Sequence, residues 1–368
     1  MLHRTKLFSV LWVLAALSLI VGCAAPTATP APTQPPAQQA PTQPPAPTQA
    51  QAPTEAPAPT QAQAPTQAPA TTAPQVTQSN LTFALAVHAD PAVDSFWAVV
   101  EKGAKDAAAT YGITLKAGGN SDPKQQATLI EDAVAAKVDG IIVSMANPDA
   151  LKDAIKKATD AGIPVITINS GADRSKEFGA LNHIGQTERV AGQGAGGKFN
   201  DAGLKKVMCV VHEEANVGLE DRCAGLKDTF KGQVVEFSVA STGVKDVKGT
   251  LTAIQDKLTA DKTFDGILTL NPTIAIAARD AVKAVNGSQK IGTFDLSPDV
   301  LAAIESGDLM FAIDQQQYLQ GYLPIVFLYL YKTNLNTVGG GLPVLTGPGF
   351  VDKSNAAQVK DLAAKGTR

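Results

Sequence analysis

Short apolar runs alternate with stretches of helical spacing from residue 81 to the end of the chain. The first runs predict strands at 81–87, 113–117, 141–145, 165–168 and 182–185, with helices at 96–111, 124–137, 150–161 and near Glu188. The rhythm then repeats, with strands at 207–211, 234–239, 267–270, 291–294 and 309–313 and helices at 220–230, 247–258, 275–285 and 300–306. Such alternation predicts parallel sheets with helices on both faces. The expected fold class is therefore α/β, with two doubly wound parallel-sheet lobes.

The most apolar predicted helix covers residues 318–331 and contains Gly321 and Pro324. It is shorter than the roughly 20 residues that a membrane-spanning helix needs. We therefore expect it to lie in the core. A strand at 342–345 and a polar helix at 355–364 complete the predicted elements.

The N-terminal segment has a different pattern. A basic head at residues 3–6 precedes an apolar run at 7–21, which Gly22 and Cys23 follow. This order is typical of a signal peptide, and small residues before a lone cysteine resemble a bacterial lipobox, where cleavage precedes an acylated cysteine. The alternative is a signal peptide that happens to contain a cysteine. We predict a signal peptide over 1–22, lipidation of Cys23, and an extracytoplasmic protein that its lipid anchors to the cell membrane.

Residues 23–79 repeat variations on Ala-Pro-Thr-Gln. Fifteen of the 24 prolines lie between Pro26 and Pro74, and Glu55 is the one charged residue of this segment. Such a composition buries too little apolar surface to fold, so we predict a disordered linker that favours extended polyproline II conformation.

The charge balance of the chain bears on whether it binds nucleic acid. The chain has 31 Lys and Arg against 34 Asp and Glu, for a formal net charge of -3. Because no basic surplus is available to bind phosphate backbones, we predict no nucleic-acid partner.

Polar side chains recur at or just after the predicted strand ends, where doubly wound sheets bind their ligands. They are His88, Asp90, Asp94, Asn147, Asn169, His212, Glu213, Glu214, Asn271, Asp295, Asp314 and Gln315. Carboxylates and amides suit a ligand with many hydroxyls, and Phe96 and Trp97 offer aromatic faces for the apolar side of a sugar ring. Each polar residue alone is equally typical of a helix cap or a turn. Their recurrence at so many strand ends indicates one shared site.

Four segments together resemble the ribose/galactose-type periplasmic sugar-binding proteins, the type I solute-binding proteins of bacterial ABC importers. They are 96–108 (FWAVVEKGAKDAA), 138–170, 183–199 and 291–322. The resemblance extends from residue 81 to the end and implies three crossings between two lobes. Lobe one would comprise 80–172 plus 316–346, and lobe two 173–315 plus 347–368. It also implies that a hinge closes the lobes on the ligand.

The resemblance assigns site residues as well. Phe96 and Trp97 match the aromatic pair that flanks the sugar, Asn147 stands where the family usually has a ligand-binding Asp, and Arg222 matches a family Arg. The complete predicted ligand-binding set is Asp94, Phe96, Trp97, Asn147, Asn169, Arg222, Asn271, Asp295 and Gln315, with His88, Asp90, His212 and Glu213 as further candidates.

Two departures from the ribose-type pattern bear on the ligand. The loop that starts at His88 is about two residues longer, as its string HADPAVDS shows, which leaves open whether Asp90 or Asp94 faces the ligand. Val244 stands where an aromatic contact is common. Both indicate a ligand other than simple ribose.

Three further motifs are better explained by a structural role than by nucleotide binding or catalysis. The run GQGAGGK at 192–198 satisfies a glycine-rich nucleotide pattern, but a helical stretch precedes it and Phe199 replaces the Ser or Thr of a P-loop. We therefore expect its small residues to let a helix pack closely on the sheet.

Cys209 and Cys223 form an even pair in an exported domain, which predicts a disulfide, with two buried free thiols as the alternative. His212 beside Glu213 resembles a general base, but no nucleophile motif accompanies it.

The sequence therefore predicts a receptor, without cofactor or metal, that captures a monosaccharide or polyol between its lobes and presents the closed form to ABC permease subunits. We expect a monomer that is not an enzyme and touches the membrane through its lipid alone. Two alternatives remain at this point. One is a signalling receptor of the same fold, for a chemoreceptor, a sensor kinase or an autoinducer-like ligand. The other is a nucleoside receptor in which the aromatic pair stacks on a base.

Overall fold

A computed structural model describes residues 79–368, which fold into two lobes. The sheet of lobe one contains β1 (Thr82–Val87), β2 (Thr114–Gly119), β3 (Gly140–Ser144), β4 (Val165–Ile168), β5 (Asn182–Gln186) and β11 (Val344–Gly347). Its order is β11-β5-β4-β3-β1-β2, and all its neighbours are parallel. The accompanying helices are α1 (Ser95–Tyr111), α2 (Pro123–Ala135), α3 (Pro148–Asp160), α4 (Ala172–Ser175) and α10 (Gln317–Asn334).

Lobe two repeats the design. Its strands are β6 (Lys206–Val211), β7 (Gln233–Ser238), β8 (Gly266–Thr269), β9 (Lys290–Phe294), β10 (Phe311–Asp314) and β12 (Gly349–Asp352), in the order β12-β10-β9-β8-β6-β7. Its helices are α5 (Glu188–Asp201), α6 (Val217–Thr229), α7 (Val247–Ala260), α8 (Pro272–Ala284), α9 (Pro298–Ser306) and α11 (Ala356–Ala364). All pairs are parallel except β10 with β12, which are antiparallel. The predicted fold class of two doubly wound α/β lobes is confirmed.

Helices cover both faces of each sheet, as is typical of parallel sheets. Strand β3 is buried at every position. Ile142 packs on the side of α1 and α10, whereas its neighbours Ile141 and Val143 pack with the residues of α2 and α3. Alternation of side chains along a strand thus supplies two apolar layers in each lobe.

Helices begin soon after the strands because polar caps stand there. Asn147, Asn271 and Ser297 each accept a hydrogen bond from a backbone N–H of the following first turn, and a proline follows each cap. Proline at the first helical position loses no helical hydrogen bond. These caps bring the first turn of each helix next to a strand end.

Two helix pairs pack closely because glycines face the partner's backbone. A Cβ on Gly192 of α5 would clash with the carbonyl of Arg222 in α6, and one on Gly321 of α10 would clash with that of Val100 in α1. The close packing expected for the 192–198 run is therefore present: Gly192 and Gly196 face helix α6, and Gly194 faces the ring of Phe350 in strand β12 of the sheet. The run lies inside α5 and forms no phosphate-binding loop.

The apolar helix predicted at 318–331 is α10, and its residues Ile325 and Leu328 are fully buried in the core of lobe one. Within residues 79–368, no helix combines the length and the apolar character that crossing a membrane requires. The signal peptide, Cys23 and most of the predicted linker lie outside the described residues.

The chain passes between the lobes between β5 and α5, between β10 and α10, and between β11 and β12. The first crossing corrects the predicted lobe boundary at 172/173. Residues 173–186 belong to lobe one, because β5 pairs with both β4 and β11 in its sheet. The short strand β12 was not predicted.

Candidate binding site between the lobes

A cavity lies between the lobes, at the carboxyl ends of their parallel strands. Its empty volume is about 310 Å³, part of which is open to solvent. Lobe one lines it with His88, Asp94, Phe96, Trp97, Asn169 and Ser170, lobe two with His212, Glu213, Asn216, Leu219, Arg222, Leu270, Asn271 and Asp295, and Gln315 lies at the second crossing. Of the predicted ligand-binding set and its further candidates, the structure therefore brings together all except Asp90 and Asn147. Glu214 and Asp314, which also follow predicted strands, do not line the cavity.

The wall from lobe one combines aromatic rings with one carboxyl group. Phe96 and Trp97 open helix α1, are almost fully buried, and contact each other edge to face at 4.9 Å between ring centroids. Asp94 caps the same helix by accepting the Phe96 N–H at 2.9 Å. Burial is the main reason that the pKa of Asp94 is raised to about 6. An aromatic face beside a hydrogen-bond acceptor suits a ring with an apolar side and hydroxylated edges.

The wall from lobe two is built on the Arg222 guanidinium. Its Nε and Nη2 donate to the Glu188 carboxylate at 2.6 and 3.0 Å, and its Nη1 donates to the Leu270 carbonyl at 3.1 Å. The guanidinium also lies over the ring of Phe294, 4.4 Å from its centroid. Burial disfavours the cation, but the carboxylates of Glu188, Asp295 and Glu213 together outweigh it, so the pKa of Arg222 is raised. The side chain is therefore held in place before any ligand binds.

Asp295 and Gln315 continue this wall. Asp295 follows strand β9 with a positive φ of 68°, and its Oδ1 accepts a hydrogen bond from Gln315 Nε2 at 2.8 Å. Burial is the main cause that raises the pKa of Asp295 to about 7. Gln315 Oε1 in turn accepts from Asn169 Nδ2 of lobe one at 3.1 Å. This chain of hydrogen bonds ties the wall of lobe two to the second crossing.

Asn271 connects the two walls directly. Its Oδ1 caps helix α8 by accepting the Thr273 N–H at 2.8 Å, and its Nδ2 donates to Asp94 Oδ2 of lobe one at 3.3 Å. The two lobes are therefore in contact across the cavity, which is the arrangement expected of a closed cleft.

The two histidines of the cavity are neutral. Burial lowers the pKa of His88 to about 3 and that of His212 to about 4. His212 Nδ1 is buried and has no hydrogen-bond partner among the described residues. Its Nε2 lies 3.9 Å from Glu213 Oε1, which is beyond hydrogen-bond distance. The pair therefore lacks the geometry of a general base with its orienting acid, whereas a neutral imidazole can still bond a hydroxyl.

Two predicted site residues lie outside the cavity. Asp90 is exposed and its Oδ1 accepts the Ala92 N–H at 2.9 Å, so Asp94 is the acid that faces the cavity. Asn147 Oδ1 accepts the Ala150 N–H at the start of α3. Its grouping with the other site residues is corrected, because it lines a wider space on the rim of the cleft.

Several residues were absent from the predicted set. The cavity is also lined by Ser170, Asn216, Leu219 and Leu270. Glu188 does not line it but accepts hydrogen bonds from the Arg222 guanidinium. Asn216 is a polar helix cap after a strand, the same signal that identified Asn271. Leu219 and Leu270 carry no such signal because apolar residues are common at these positions.

A disulfide joins Cys209 of β6 to Cys223 of α6, with 6.0 Å between their Cα atoms. This confirms the predicted pairing. Cys223 directly follows Arg222 in the chain, so the disulfide holds the helix turn that carries the guanidinium against the sheet of lobe two.

Comparisons with known proteins agree with this architecture. A carbohydrate transporter from Acidothermus cellulolyticus 11B, solved in complex with myo-inositol, is 47% identical, has a TM-score of 0.76, and aligns over 78% of this chain and 99% of its own. The ribose import binding protein of Haemophilus influenzae is 27% identical over 67% of this chain and 83% of its own length. The xylose/arabinose-binding protein of Sulfolobus acidocaldarius is 26% identical over 64% of this chain, and the match spans 62% of that protein.

A family profile adds the decisive observation. The profile described as "Periplasmic binding protein domain" matches residues 85–334, which include most of both lobes and every residue that lines the cavity. The resemblance expected from the sequence is therefore confirmed, and the chain belongs to the periplasmic binding protein family.

Proposed function

We propose that this protein is the solute receptor of an ABC importer and that it captures a single-ring polyol, with a cyclitol such as myo-inositol as the first candidate. The observation that carries the proposal is the composition of the cavity, in which carboxylates, amides, a guanidinium and two neutral imidazoles from both lobes surround a pair of aromatic rings. The myo-inositol complex of the 47% identical structure supports the cyclitol as the first choice.

The chemistry of the cavity matches that of a hydroxylated ring. Asp94 and Asp295 accept hydrogen bonds, Arg222 donates, and Asn271 and Gln315 do both. Phe96 and Trp97 cover an apolar ring face. A ligand that lacks one hydroxyl would leave a buried polar group without its partner, at a cost of about 1–3 kcal/mol. We infer that this cost is the source of specificity.

Capture would proceed by population shift. Groups from both lobes face the cavity, so a ligand satisfies all of them only when the cleft is closed. The ligand would therefore stabilise the closed form, which the permease subunits of the importer would recognise. Nothing in the comparisons favours the signalling or nucleoside alternatives.

Isothermal titration calorimetry of the purified protein tests the proposal with myo-inositol, D-ribose, D-galactose and adenosine. We expect saturable binding of myo-inositol with a Kd below about 100 μM, weaker binding of ribose, and none of adenosine. Absence of binding by every sugar and polyol would overturn the proposal. Binding of adenosine alone would restore the nucleoside alternative.

We further infer a lipid-anchored monomer, on the pattern of residues 7–23. The anchor would keep the receptor on the outer side of the membrane, close to its permease. Labelled palmitate should be incorporated into the wild type and not into the Cys23→Ala protein, and gel filtration should give the mass of one chain. Incorporation of the label into the Cys23→Ala protein, or its absence from the wild type, would contradict lipidation at this residue.

A further inference from the structure

A second empty space of about 1760 Å³ adjoins the cavity on the rim of the cleft. Its lining comes from both lobes and mixes polar with apolar surface; the polar part includes Asn120, Gln126 and Asn147 of lobe one and Thr242 and Lys245 of lobe two. The inner cavity and this outer cleft share five lining residues, which are His88, Asp94, His212, Glu213 and Asn216. These shared residues form a partition between a small space and a large one.

The centre of the partition is a lobe-to-lobe contact. Asn216 Nδ2 donates to Glu213 Oε2 at 2.6 Å within lobe two. His88 of lobe one places its Nε2 at 3.5 Å from Asn216 Nδ2 and 3.7 Å from Glu213 Oε2. Because the neutral His88 ring forms no ion pair with Glu213, these contacts between the lobes are weak compared with the bond inside lobe two.

Each side of the partition is anchored in its own lobe. The hydroxyl oxygen of Ser144 accepts a hydrogen bond from the backbone N–H of His88 at 2.9 Å, and it lies 2.7 Å from Nδ1 of the His88 ring. Asn216 Oδ1 accepts the Gly218 N–H at 3.0 Å and thereby caps helix α6. Next to this cap, the Val217 N–H donates to the Ala146 carbonyl of lobe one at 3.0 Å. The partition is thus assembled from both lobes when the cleft is closed.

We propose that His88, Glu213 and Asn216 set the size of the ligand. With the partition in place, a glycosyl group attached to a ring in the inner cavity would collide with these side chains. Without it, the ring could occupy the inner cavity while its substituent enters the outer cleft, where Asn120, Gln126, Asn147 and Thr242 offer hydrogen-bonding groups. The inference rests on the proposed function, since it concerns which polyols that site accepts.

The test variant is His88→Ala combined with Asn216→Ser. Serine keeps an oxygen that can cap α6 but loses the amide that contacts Glu213 and His88. The matched control is Asn147→Ser, because Asn147 also caps a helix and lines only the outer cleft. Calorimetry would use myo-inositol and its α-D-galactoside, a neutral two-ring ligand.

We expect the wild type and Asn147→Ser to bind the two-ring ligand at least about 100-fold more weakly than myo-inositol, which corresponds to about 2.7 kcal/mol. The double variant should bind the two-ring ligand at least about tenfold more tightly than the wild type does. If the double variant does not fold, Asn216→Ser alone should change the affinity in the same direction.

The proposal is overturned if the wild type binds both ligands equally, or if a folded variant that still binds myo-inositol gains nothing for the two-ring ligand. Failure of the wild type to bind any polyol would instead refute the proposed function, so the two failures are distinguishable.

Discussion

The two walls of the cavity differ in how their polar groups are held. In lobe two, Arg222 is bonded to Glu188 and to the Leu270 carbonyl, all within the same lobe. In lobe one, the rings of Phe96 and Trp97 and the carboxyl group of Asp94 form the wall, and the hydrogen bond from Asn271 to Asp94 across the cleft is 3.3 Å long. The polar groups of lobe two are thus held in place by bonds within that lobe. The wall of lobe one meets them only when the cleft closes.

This difference has an energetic consequence. A buried charge that loses its partner destabilises the fold as well as the site, so changes in the Arg222 network should affect stability and affinity together. Changes in the polar groups of lobe one should affect affinity while leaving the fold intact. The following four predictions test this distinction, in order of decreasing effect.

Glu188→Gln should have the largest effect. It leaves Arg222 buried without its carboxylate, so we expect the free energy of unfolding to fall by about 3–5 kcal/mol and polyol affinity to fall by more than about 100-fold. Urea denaturation and calorimetry measure the two quantities. Glu177→Gln is the matched control, because Glu177 makes a two-bond contact with Arg174 at the surface and its loss should change neither quantity measurably. A stable, fully binding Glu188→Gln protein would refute the preorganised wall.

Removal of the disulfide, by Cys209→Ala combined with Cys223→Ala, should have the second-largest effect. The bond closes a loop with a sequence separation of 14 residues, and a loop of about this length contributes about 3 kcal/mol of stability. We expect a lower melting temperature and a smaller loss of affinity than in Glu188→Gln, because Arg222 keeps its partners. Equal losses of affinity in the two proteins would mean that the disulfide itself positions Arg222.

Asp94→Asn should affect binding alone. Asparagine caps a helix as well as aspartate does, so α1 should remain intact, while the loss of a charged acceptor weakens polyol binding by about 10- to 100-fold. Asp122→Asn provides the control, since Asp122 caps α2 in the same way but lies outside the cavity. An Asp94→Asn protein with wild-type affinity would remove Asp94 from the site.

The smallest effect is a pH dependence of affinity. The pKa of Asp94 is about 6 and that of Asp295 about 7, both raised mainly by burial. Each carboxyl is therefore ionised above its pKa and loses its acceptor charge as the pH falls through that value. The histidines, with pKa values of about 3 and 4, stay neutral in this range.

We therefore expect polyol affinity to decrease about tenfold between pH 7.5 and 5.5, and to decrease less in Asp94→Asn. Calorimetry at several pH values measures this slope. Affinity that is constant or that rises on acidification would show that these carboxyl groups do not accept ligand hydroxyls.

Much of this structure could be predicted from the sequence because local patterns determine it. The strand β4 and the helix α1 were predicted within one residue, since apolar runs and caps mark their ends. The polar residues at strand ends led to the cavity for the same reason: in a parallel sheet, neighbouring strand ends lie at one edge.

The remaining features depend on tertiary context. The first crossing was misplaced because only pairing with β4 and β11 assigns β5 to lobe one. Glu188 looks like an ordinary acid in the first turn of a helix, and only packing of α5 on α6 reveals it as the partner of Arg222. Asn147 carries the same cap signal as Asn271, and nothing in the local sequence separates the cap that faces the cavity from the one that faces the rim.

A crystal structure of the protein with myo-inositol would test most directly whether both walls hold one ligand. We predict a single ring in the inner cavity, against Phe96 or Trp97, with hydroxyls bonded to Asp94 of lobe one and to Arg222 or Asp295 of lobe two. A ligand bonded to one lobe alone, or seated in the outer cleft, would contradict this account.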